Sequence, residues 1–304
     1  MTLRLPKHNR YAYTPIISRP QYKWPGGKDL AFYIGLNVEH FAFMAGRGSD
    51  PHLRGGAAPQ TQRNYAWRDY GLRVGVWNVF KLLDELGLSC TVLLNSMVCE
   101  LYPPVIEHMK ARGFDICGHG RTNGEALAGV WEHDEATRIN EATAVIAQAF
   151  GKRPTGWMGP GAAESGATPD LLVEAGYTHS MGWPLDDQPV WMKTRSGPLL
   201  SVPYPMELND IGATVHRDHT GREFADMVVD QFEEMIAQSS ERPLVMGLSL
   251  HPYICGQPFR LRPLRVALKH CMSHAERNRV WWTRAVDIAD HCMSLPDDVL
   301  PKPK

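Results

Sequence analysis

The sequence lacks several features that would place the protein in a specialised class. Its 304 residues include six cysteines but no C-x-x-C pair, which excludes a zinc ribbon and a thioredoxin-type motif and predicts reduced, mostly buried thiols. No segment approaches the roughly 20 apolar residues of a membrane span. The formal net charge of -1 offers no excess of positive charge for binding nucleic acid or anionic lipid. We therefore expect neither nucleic acid nor a membrane as a partner.

The sequence also lacks two local signals. The amino-terminal residues contain no apolar core of signal-peptide length, so we expect a cytoplasmic protein. No G-x-G-x-x-G follows the first predicted strand, so no organic cofactor is expected. Residues 1–28 are predicted to form an extension that covers the body of the protein. Residues 29–304 predict a single catalytic barrel domain, because no break in composition divides them.

What the sequence does contain is a succession of apolar, β-rich runs with helical patterns between them. This alternation is typical of βα units and a mainly parallel sheet. The candidate strands are LAFYIGLNVE, CTVLLNSMV, FDICGHG, TGWMGP, YTHSMG, LLSVPYP, LVMGLSLHP and RVWWTR. Seven or eight such strands favour one closed or nearly closed α/β barrel, with an open doubly wound sheet as the alternative.

Two helices can be predicted in detail. In RVGVWNVFKLLDELG, Val76, Phe80 and Leu83 recur on one face, and Gly87 suits the left-handed position after the helix. In HDEATRINEATAVIAQAFGK, Asp134 is predicted to cap the start and the glycine after the stripe to end the helix. The stripe and its final glycine are Ile139, Ala142, Ile146, Phe150 and Gly151. Each helix is expected to pack one face on the sheet.

Three connections are long and rich in Gly, Pro, Trp and Arg. They cover roughly residues 44–69, 182–198 and 205–222. Long loops in a compact domain are more often lids, binding loops or oligomer contacts than simple connections. These loops are therefore candidates for substrate lids or for contacts between subunits.

Polar residues follow the predicted strands at the end where the chemistry of an α/β barrel lies. The first strand ends in Asn37, Glu39 and His40, and strand alternation sends the first two to one side and His40 to the other. Later strands end in further candidates, namely His119, Arg121, Asn123, Trp157 and His251. Two histidines and a carboxylate at one mouth could bind a divalent metal or perform acid–base chemistry. Each histidine taken alone could equally be a hydrogen-bonded structural residue.

The order of these motifs resembles the polysaccharide deacetylase superfamily, also called the NodB-homology fold. Within it, the chain is similar to the branch that contains the allantoinases and the cyclic-imide hydrolases. The resemblance covers roughly residues 24–293 and rests on NVE, FDICGHGRTN, RPTGWMGP and GLSLHPYICGQPFR, supported by WRDYGLRVGVW and SVPYPMELND. It implies a distorted (β/α)7 barrel and a homo-oligomer.

The resemblance also implies roles for individual residues. Deacetylases of this family use an aspartate base, an aspartate metal ligand, two ligand histidines spaced H-x-x-x-H, and a late histidine as general acid. Asn37 stands at the position of the base and Glu39 at that of the ligand aspartate. His119 and Asn123 stand at the ligand histidines, and His251 at the acid. Asn37 and Asn123 are departures, because an amide cannot be a general base and is a much weaker zinc ligand than imidazole.

This pattern predicts a hydrolase of a non-peptide C–N bond in a small cyclic amide, imide or ureide. Glu39, His251 and Asn37 are the predicted catalytic residues. The predicted metal ligands are Glu39, His119 and Asn123, with zinc as the expected ion, although the sequence leaves open whether a metal binds. Hydrolysis needs an activated water, a polarised carbonyl and a proton for the departing nitrogen. His40 is left without a role.

Four residues are predicted to bind a flat polar ring by guanidinium pairing and aromatic stacking. They are Arg121, Tyr70, Arg73 and Trp157. Two other functions remain open at this point. One is a metal-dependent deacetylase of a polysaccharide or oligosaccharide, and the other is a non-catalytic family member that binds a small molecule.

Overall fold

The computed structural model describes residues 7–45, 47–48 and 58–303. The strands in this part of the chain are β1 Leu30–Val38, β2 Arg47–Gly48, β3 Ala58–Pro59, β4 Thr91–Leu94, β5 Asp115–Gly118, β6 Gly156–Trp157, β7 His179–Ser180, β8 Val190–Thr194, β9 Gly197–Ser201, β10 Leu244–Leu250 and β11 Val280–Thr283. The α-helices are α1 Gln62–Tyr70, α2 Val76–Leu86, α3 Met97–Leu101, α4 Pro103–Arg112, α5 Glu132–Phe150, α6 Thr168–Glu174, α7 Gly221–Gln238, α8 Pro252–Cys255, α9 Pro258–Ser273 and α10 Ala285–Ser294.

Seven parallel strands curl into a barrel in the order β10, β1, β4, β5, β6, β7, β9. Strand β8 is antiparallel to β9, and β11 pairs with the first half of β1. Within the described residues no ladder joins β9 to β10, so the barrel is open along this seam. The predicted distorted (β/α)7 barrel is confirmed.

Strand β1 lies at the centre of this arrangement. It pairs with β10 from Leu30 to Leu36 and with β4 from Gly35 to Val38, and all nine of its residues are buried. A parallel strand covered on both faces needs a continuous apolar run, which is what the sequence has here. Strand β1 therefore carries the residues that follow it, 39 and 40, to the edge of the barrel formed by the carboxyl ends of the strands, called the mouth below.

The opposite end of the barrel is closed by the amino-terminal extension and α10. Trp24 is 1% exposed, and its ring centre lies 5.8 Å from that of Trp281. Ala285 and Ile288 of α10 belong to the same buried cluster as Trp24 and Tyr33 of β1. This end is packed with apolar side chains, which leaves the mouth as the end with buried polar groups. The division into residues 1–28 and 29–304 stays a prediction.

Both detailed helix predictions are confirmed in extent, with one error in capping. Helix α2 buries Val76, Phe80 and Leu83, and Gly87 has a φ of 63°. Helix α5 ends at Gly151 with a φ of 70°. Its N-cap is Trp131 and it begins at Glu132, so Asp134 lies inside the first turn and the capping prediction was wrong. A carboxylate in the first turn still stabilises the positive end of a helix.

Two of the predicted long loops contain regular structure. Residues 182–198 include β8, whose Val190, Trp191 and Met192 pair with β9 in a hairpin where a helix would otherwise join two parallel strands. Residues 205–222 contain a π-helical turn, Gly212–His216. The loop at residues 44–69 lies partly outside the described residues, and its last part is α1.

Glycines in the long helical stretch after the first loop bring two segments of the mouth together. Helices α1 and α2 are joined by a π-helical turn, Gly71–Gly75. A Cβ atom on Gly75 would lie 2.0 Å from the carbonyl oxygen of Pro252, so only glycine allows α8 to approach this closely. Helix α8 follows His251 directly, and the close approach therefore holds His251 in place. None of the described helices is both long and apolar enough to cross a bilayer.

Candidate functional site

Glu39 lies at the centre of a buried polar cluster in the mouth. Its Oε1 is 3.4 Å from Nε2 of His119 and 3.6 Å from Nε2 of His251. Its Oε2 is buried and has no hydrogen-bond partner among the described residues. Burial by itself would raise the pKa of Glu39, but the two imidazoles outweigh it and lower the pKa to about 2. Glu39 is therefore an anion at neutral pH.

His119 follows β5 and faces Glu39 with a defined nitrogen. Its Nδ1 lies 2.7 Å from the carbonyl oxygen of Met158, which follows β6. A carbonyl oxygen only accepts, so Nδ1 is assigned the hydrogen. Its Nε2 points at Oε1 of Glu39, and a hydrogen bond between the two needs a hydrogen on Nε2, because the carboxylate only accepts.

His251 follows β10 and is bracketed by two carboxylates. Its Nδ1 lies 2.6 Å from Oδ1 of Asp210, and its backbone N–H donates to Oδ2 of Asp210 at 2.8 Å. Burial lowers the pKa of His251, but the charges of Glu39 and Asp210 outweigh it and raise the pKa to about 10. His251 is therefore an imidazolium at neutral pH and can donate a proton.

Asp210 was missed by the sequence analysis, although it ends the quoted motif SVPYPMELND. It is 1% exposed and lies directly before the π-helical turn at Gly212–His216. Turns of this kind often occur at functional sites, so the turn is a clue that only the structure provides. The pairing of Asp210 with His251 depends on a contact 41 residues apart in sequence.

Asn37 faces the same barrel interior as Glu39 but is fully engaged by its neighbours. Its amide nitrogen lies 2.9 Å from the hydroxyl of Tyr204, 3.2 Å from Oγ of Ser249 and 3.2 Å from the carbonyl oxygen of Leu250. Tyr204 and Ser249 also bond each other at 2.5 Å. This network fixes the end of β1 against β10, and so positions Glu39.

His40 lies on the other side of the strand end. Its backbone N–H donates to Oδ1 of Asn95 at 2.9 Å, and its ring Nδ1 is 3.3 Å from the hydroxyl of Tyr102. That hydroxyl donates to Asp69 at 3.2 Å. Burial lowers the pKa of His40, although the charge of Asp69 opposes the shift. The alternation predicted for the strand end therefore agrees with the structure.

A narrow cleft opens beside Glu39. Its volume is about 10 Å³, close to the space that one water molecule needs. The lining residues are Glu39, His40, Phe41, Tyr65, Arg68, Asp69, Leu72 and Tyr102. A wider cleft of about 620 Å³ lies along the seam between β9 and β10, where Tyr204 forms part of its wall. The narrow cleft is the one that touches the polar cluster.

The structure does not bring the four predicted ring-binding residues to Glu39. Arg121 is exposed and pairs with Glu125 at 2.5 Å. Arg73 is also exposed and lies 3.8 Å from Asp69. Trp157 is fully buried in a core cluster, and Tyr70 is half-buried. None of the four lines the narrow cleft.

The predicted metal ligands are brought together only in part. Oδ1 of Asn123 accepts the backbone N–H of Gly161 at 2.8 Å, which occupies this side chain in a loop contact. Among the described residues, no group of three or more His, Cys, Asp or Glu side chains is arranged to hold a metal ion. Glu39 and His119 nevertheless offer two suitable donors, because Oε2 of Glu39 lacks a partner and a carbonyl orients His119, as is usual for a ligand histidine.

Comparison with known proteins agrees with this geometry. Residues 65–180 match the polysaccharide deacetylase family, a range that includes His119 but not Glu39 or His251. No curated protein matches the chain. The crystal structure of Puue allantoinase is 27% identical, with a TM-score of 0.82, over 92% of this chain and 97% of that protein. A probable polysaccharide deacetylase from Pseudomonas aeruginosa PAO1 is 25% identical, with a TM-score of 0.80, over 91% of this chain and 97% of that protein.

Proposed function

We propose that this protein is a hydrolase of a non-peptide C–N bond and that its substrate is a small cyclic amide, imide or ureide. The match of residues 65–180 to the polysaccharide deacetylase family and the likeness to Puue allantoinase support this. One observation carries this proposal. Glu39 lies between two histidines of fixed and different roles, while the position of the usual base holds Asn37, an amide engaged by its neighbours. The acid–base groups needed for amide hydrolysis are thus present in an altered arrangement.

The attacking water is oriented and deprotonated by Glu39. Oε2 of Glu39 can accept a hydrogen bond from the water, because no described residue occupies it. A carboxyl group with a pKa near 2 is a weak base toward free water, but the water becomes much more acidic as its oxygen bonds to the carbonyl carbon. Its proton then passes to Oε2 of Glu39, while His119 holds Oε1 of the same carboxylate.

His251 supplies the proton for the departing nitrogen. Its Nε2–H faces Glu39, while Asp210 holds Nδ1 and keeps the ring charged. An acid that is fully protonated at neutral pH is available in every turnover. Protonation of the nitrogen allows the tetrahedral intermediate to break its C–N bond and open the ring.

Glu39 and His119 are the residues that would hold a divalent ion, zinc in our proposal. Such an ion would polarise the water and lower its pKa. Metal analysis of the purified protein, followed by dialysis against a chelator, tests this point. We expect one equivalent of bound ion in the wild-type protein and a marked loss in His119→Ala. Equal metal content in the two proteins would contradict the assignment of His119.

Two observations support a small ring as the substrate. The likeness with 27% identity and a TM-score of 0.82 is to a protein named allantoinase. The position at which the resemblance places the base of a deacetylase holds Asn37, an amide engaged by its neighbours.

A substrate panel tests the proposal. The purified protein is incubated with allantoin, hydantoin, dihydrouracil, succinimide and an N-acetylglucosamine oligomer, and ring opening or acetate release is followed by proton NMR. We expect turnover of at least one ring compound and no turnover by Glu39→Gln. Acetate release without ring opening would reverse the proposal.

A metal-dependent oligosaccharide deacetylase is the second candidate. It is favoured by the family match over residues 65–180 and by the likeness to a protein named probable polysaccharide deacetylase. The amide at Asn37 argues against it, because a deacetylase of this family uses a carboxylate there.

A homo-oligomer and a cytoplasmic location remain part of the proposal. Size-exclusion chromatography with light scattering tests the first, and a monomer at micromolar concentration would contradict it. Fractionation of cells that express the full chain tests the second.

A further inference from the structure

Two polar side chains close to Glu39 have no role in the mechanism above. Arg68 of α1 lines the narrow cleft together with Glu39 and is only 4% exposed. Its guanidinium carbon lies over the Phe41 ring, 3.9 Å from the ring centre. Arginine has five N–H donors, so Arg68 can bind a further oxygen besides the contacts that it already makes. Burial lowers the pKa of Arg68, and the charge of Glu39 opposes this shift.

The second side chain is Tyr253, two residues after His251. It is 2% exposed, and its hydroxyl has no hydrogen-bond partner among the described residues. Burial raises the pKa of Tyr253 well above its usual value; the charge of Glu39 adds to this, and that of Arg68 opposes it. The Tyr253 ring lies edge-on to the ring of His251, with the ring centres 5.9 Å apart. Its ring packs edge-on against Phe41, with the ring centres 6.2 Å apart.

The backbone segments that carry Arg68 and Tyr253 are in direct contact. A Cβ atom on Gly71, three residues after Arg68, would lie 3.0 Å from the backbone nitrogen of Tyr253. The glycine thus lets α1 and α8 touch where both side chains emerge. Tyr253 and Arg68 contact the same aromatic ring, that of Phe41. The Tyr253 hydroxyl is also a hydrogen-bond donor that no described residue saturates.

Attack of water on a carbonyl carbon places negative charge on the carbonyl oxygen. Glu39 is an anion and cannot stabilise it, and the proton of His251 is needed at the departing nitrogen. Donors held in a water-poor site before the reaction stabilise such an oxygen strongly. Arginine and tyrosine are suited to this, because both donate hydrogen bonds and arginine stays charged.

We propose that Arg68 and Tyr253 are catalytic residues that bind the carbonyl oxygen under attack and stabilise its negative charge. As the water oxygen bonds to the carbonyl carbon, the π electrons of the C=O bond move to this oxygen, which Arg68 and Tyr253 hold. When the C–N bond breaks, the C=O bond forms again and the nitrogen receives the proton of His251. The inference rests on the proposed hydrolysis of a carbonyl substrate, whether a ring or an acetyl group.

Tyr253→Phe, Arg68→Lys and Arg68→Ala test the inference on the best substrate of the panel described above. Tyr253→Phe removes only the hydroxyl, and we expect kcat to fall about 10-fold with a change in KM below about 3-fold. For Arg68→Ala we expect kcat to fall about 100-fold or more. Arg68→Lys keeps the charge without the planar donors and should fall in between. Added guanidinium chloride, at a concentration that does not denature the protein, should restore part of the Arg68→Ala activity.

Two matched control variants separate this role from general packing. Tyr22 also has a buried hydroxyl without a partner among the described residues, but it packs against Trp24 at the closed end of the barrel. Arg63 lies on α1 and is exposed. Tyr22→Phe and Arg63→Ala should keep kcat within about 2-fold. Thermal unfolding followed by circular dichroism checks that each variant is folded.

The outcomes separate this inference from the proposed function. Wild-type kcat in Tyr253→Phe together with no guanidinium rescue of Arg68→Ala would overturn the inference, even if Glu39→Gln is inactive. Acetate release that depends on both residues would support the inference and overturn the ring-opening proposal. A wild-type protein that hydrolyses no member of the panel would overturn both.

Discussion

Two glutamates whose carboxyl groups are buried in the mouth of the barrel have opposite surroundings. Glu39 follows β1 and lies between two imidazoles, which lower its pKa to about 2. Glu164 lies in the loop after β6, where its Oε1 accepts the backbone N–H of Gly159 at 2.7 Å and its Oε2 has no partner among the described residues. With burial as the largest effect, the pKa of Glu164 is raised to about 7. The same side chain is thus a permanent anion on one wall and readily protonated on the other.

The difference shows that burial alone does not decide the charge of a carboxyl group. A nearby imidazolium stabilises the anion at Glu39. Among the described residues no cation offsets the burial of Glu164, and the charge of Glu135 raises its pKa further. Glycines make room for Glu164, since Cβ atoms on Gly159 and Gly182 would lie 2.4 Å and 2.3 Å from its side chain. The acid–base groups of the proposed mechanism all lie on the wall formed by β1, β5 and β10.

Among the changes to these two glutamates, removal of the negative charge of Glu39 is expected to have the largest effect on activity. Glu39→Gln keeps the shape but loses the anion that orients the water, so we expect kcat on the best ring substrate to fall at least about 1000-fold. Glu164→Gln is the matched control and should change kcat by less than about 3-fold. Equal losses in the two variants would mean that both walls take part in catalysis.

A side chain at Gly75 tests the close packing that holds His251 beside Glu39. A methyl group in Gly75→Ala would collide with the carbonyl oxygen of Pro252, next to His251. We expect the free energy of unfolding to fall by about 3 kcal/mol, measured by urea denaturation. Val74→Ala, an exposed neighbour in the same turn, should change it by less than about 0.5 kcal/mol. A well-tolerated Gly75→Ala would show that the close approach is not required.

Weakening the second carboxylate beside His251 sharpens the comparison further. In Asp210→Asn the imidazolium loses one of its two anionic neighbours, so the pKa of His251 falls from about 10 toward its usual value. We expect kcat to fall about 100-fold and the alkaline limb of the pH–rate profile to move to lower pH. An unchanged alkaline limb, measured between pH 6 and about pH 10, would remove His251 from the role of acid.

The pH dependence of stability tests the opposite wall. The pKa of Glu164 is about 7 in the folded state and 4.5 as the ordinary value, so the folded protein holds an extra proton between these pH values. Wild-type stability must therefore fall as pH rises through this window, and Glu164→Gln must lack this loss. Between pH 5 and pH 8, we expect the unfolding free energy of Glu164→Gln to rise by about 2 to 3 kcal/mol relative to that of the wild-type protein.

A matched variant completes that measurement. Glu107→Gln changes an exposed glutamate that pairs with Lys110 at the surface. Its stability relative to wild type should stay constant within about 0.5 kcal/mol over the same pH range. A constant difference for Glu164→Gln as well would show that its carboxyl group is ionised in the folded state.

The strand ends of the site could be predicted because they are local. Glu39, His119 and His251 each follow a continuous apolar run, and parallel strands bring such ends to one edge. Asp210 could not be predicted in the same way, because it lies in a π-helical loop whose position depends on packing. Trp157 illustrates the opposite error. It ends a strand as the others do, but its side chain turns into the core.

By itself the sequence determined the strands, the resemblance to a barrel family and the identity of the groups at the mouth, because apolar runs and strand ends are properties of neighbouring residues. Only the tertiary structure decided the charges and roles of those groups. Whether a buried carboxyl such as Glu39 or Glu164 ionises depends on which side chains lie within a few ångströms, and these come from distant parts of the chain. Such contacts are also the reason that we propose a catalytic role for Arg68 and Tyr253 and none for the exposed Arg121 and Arg73.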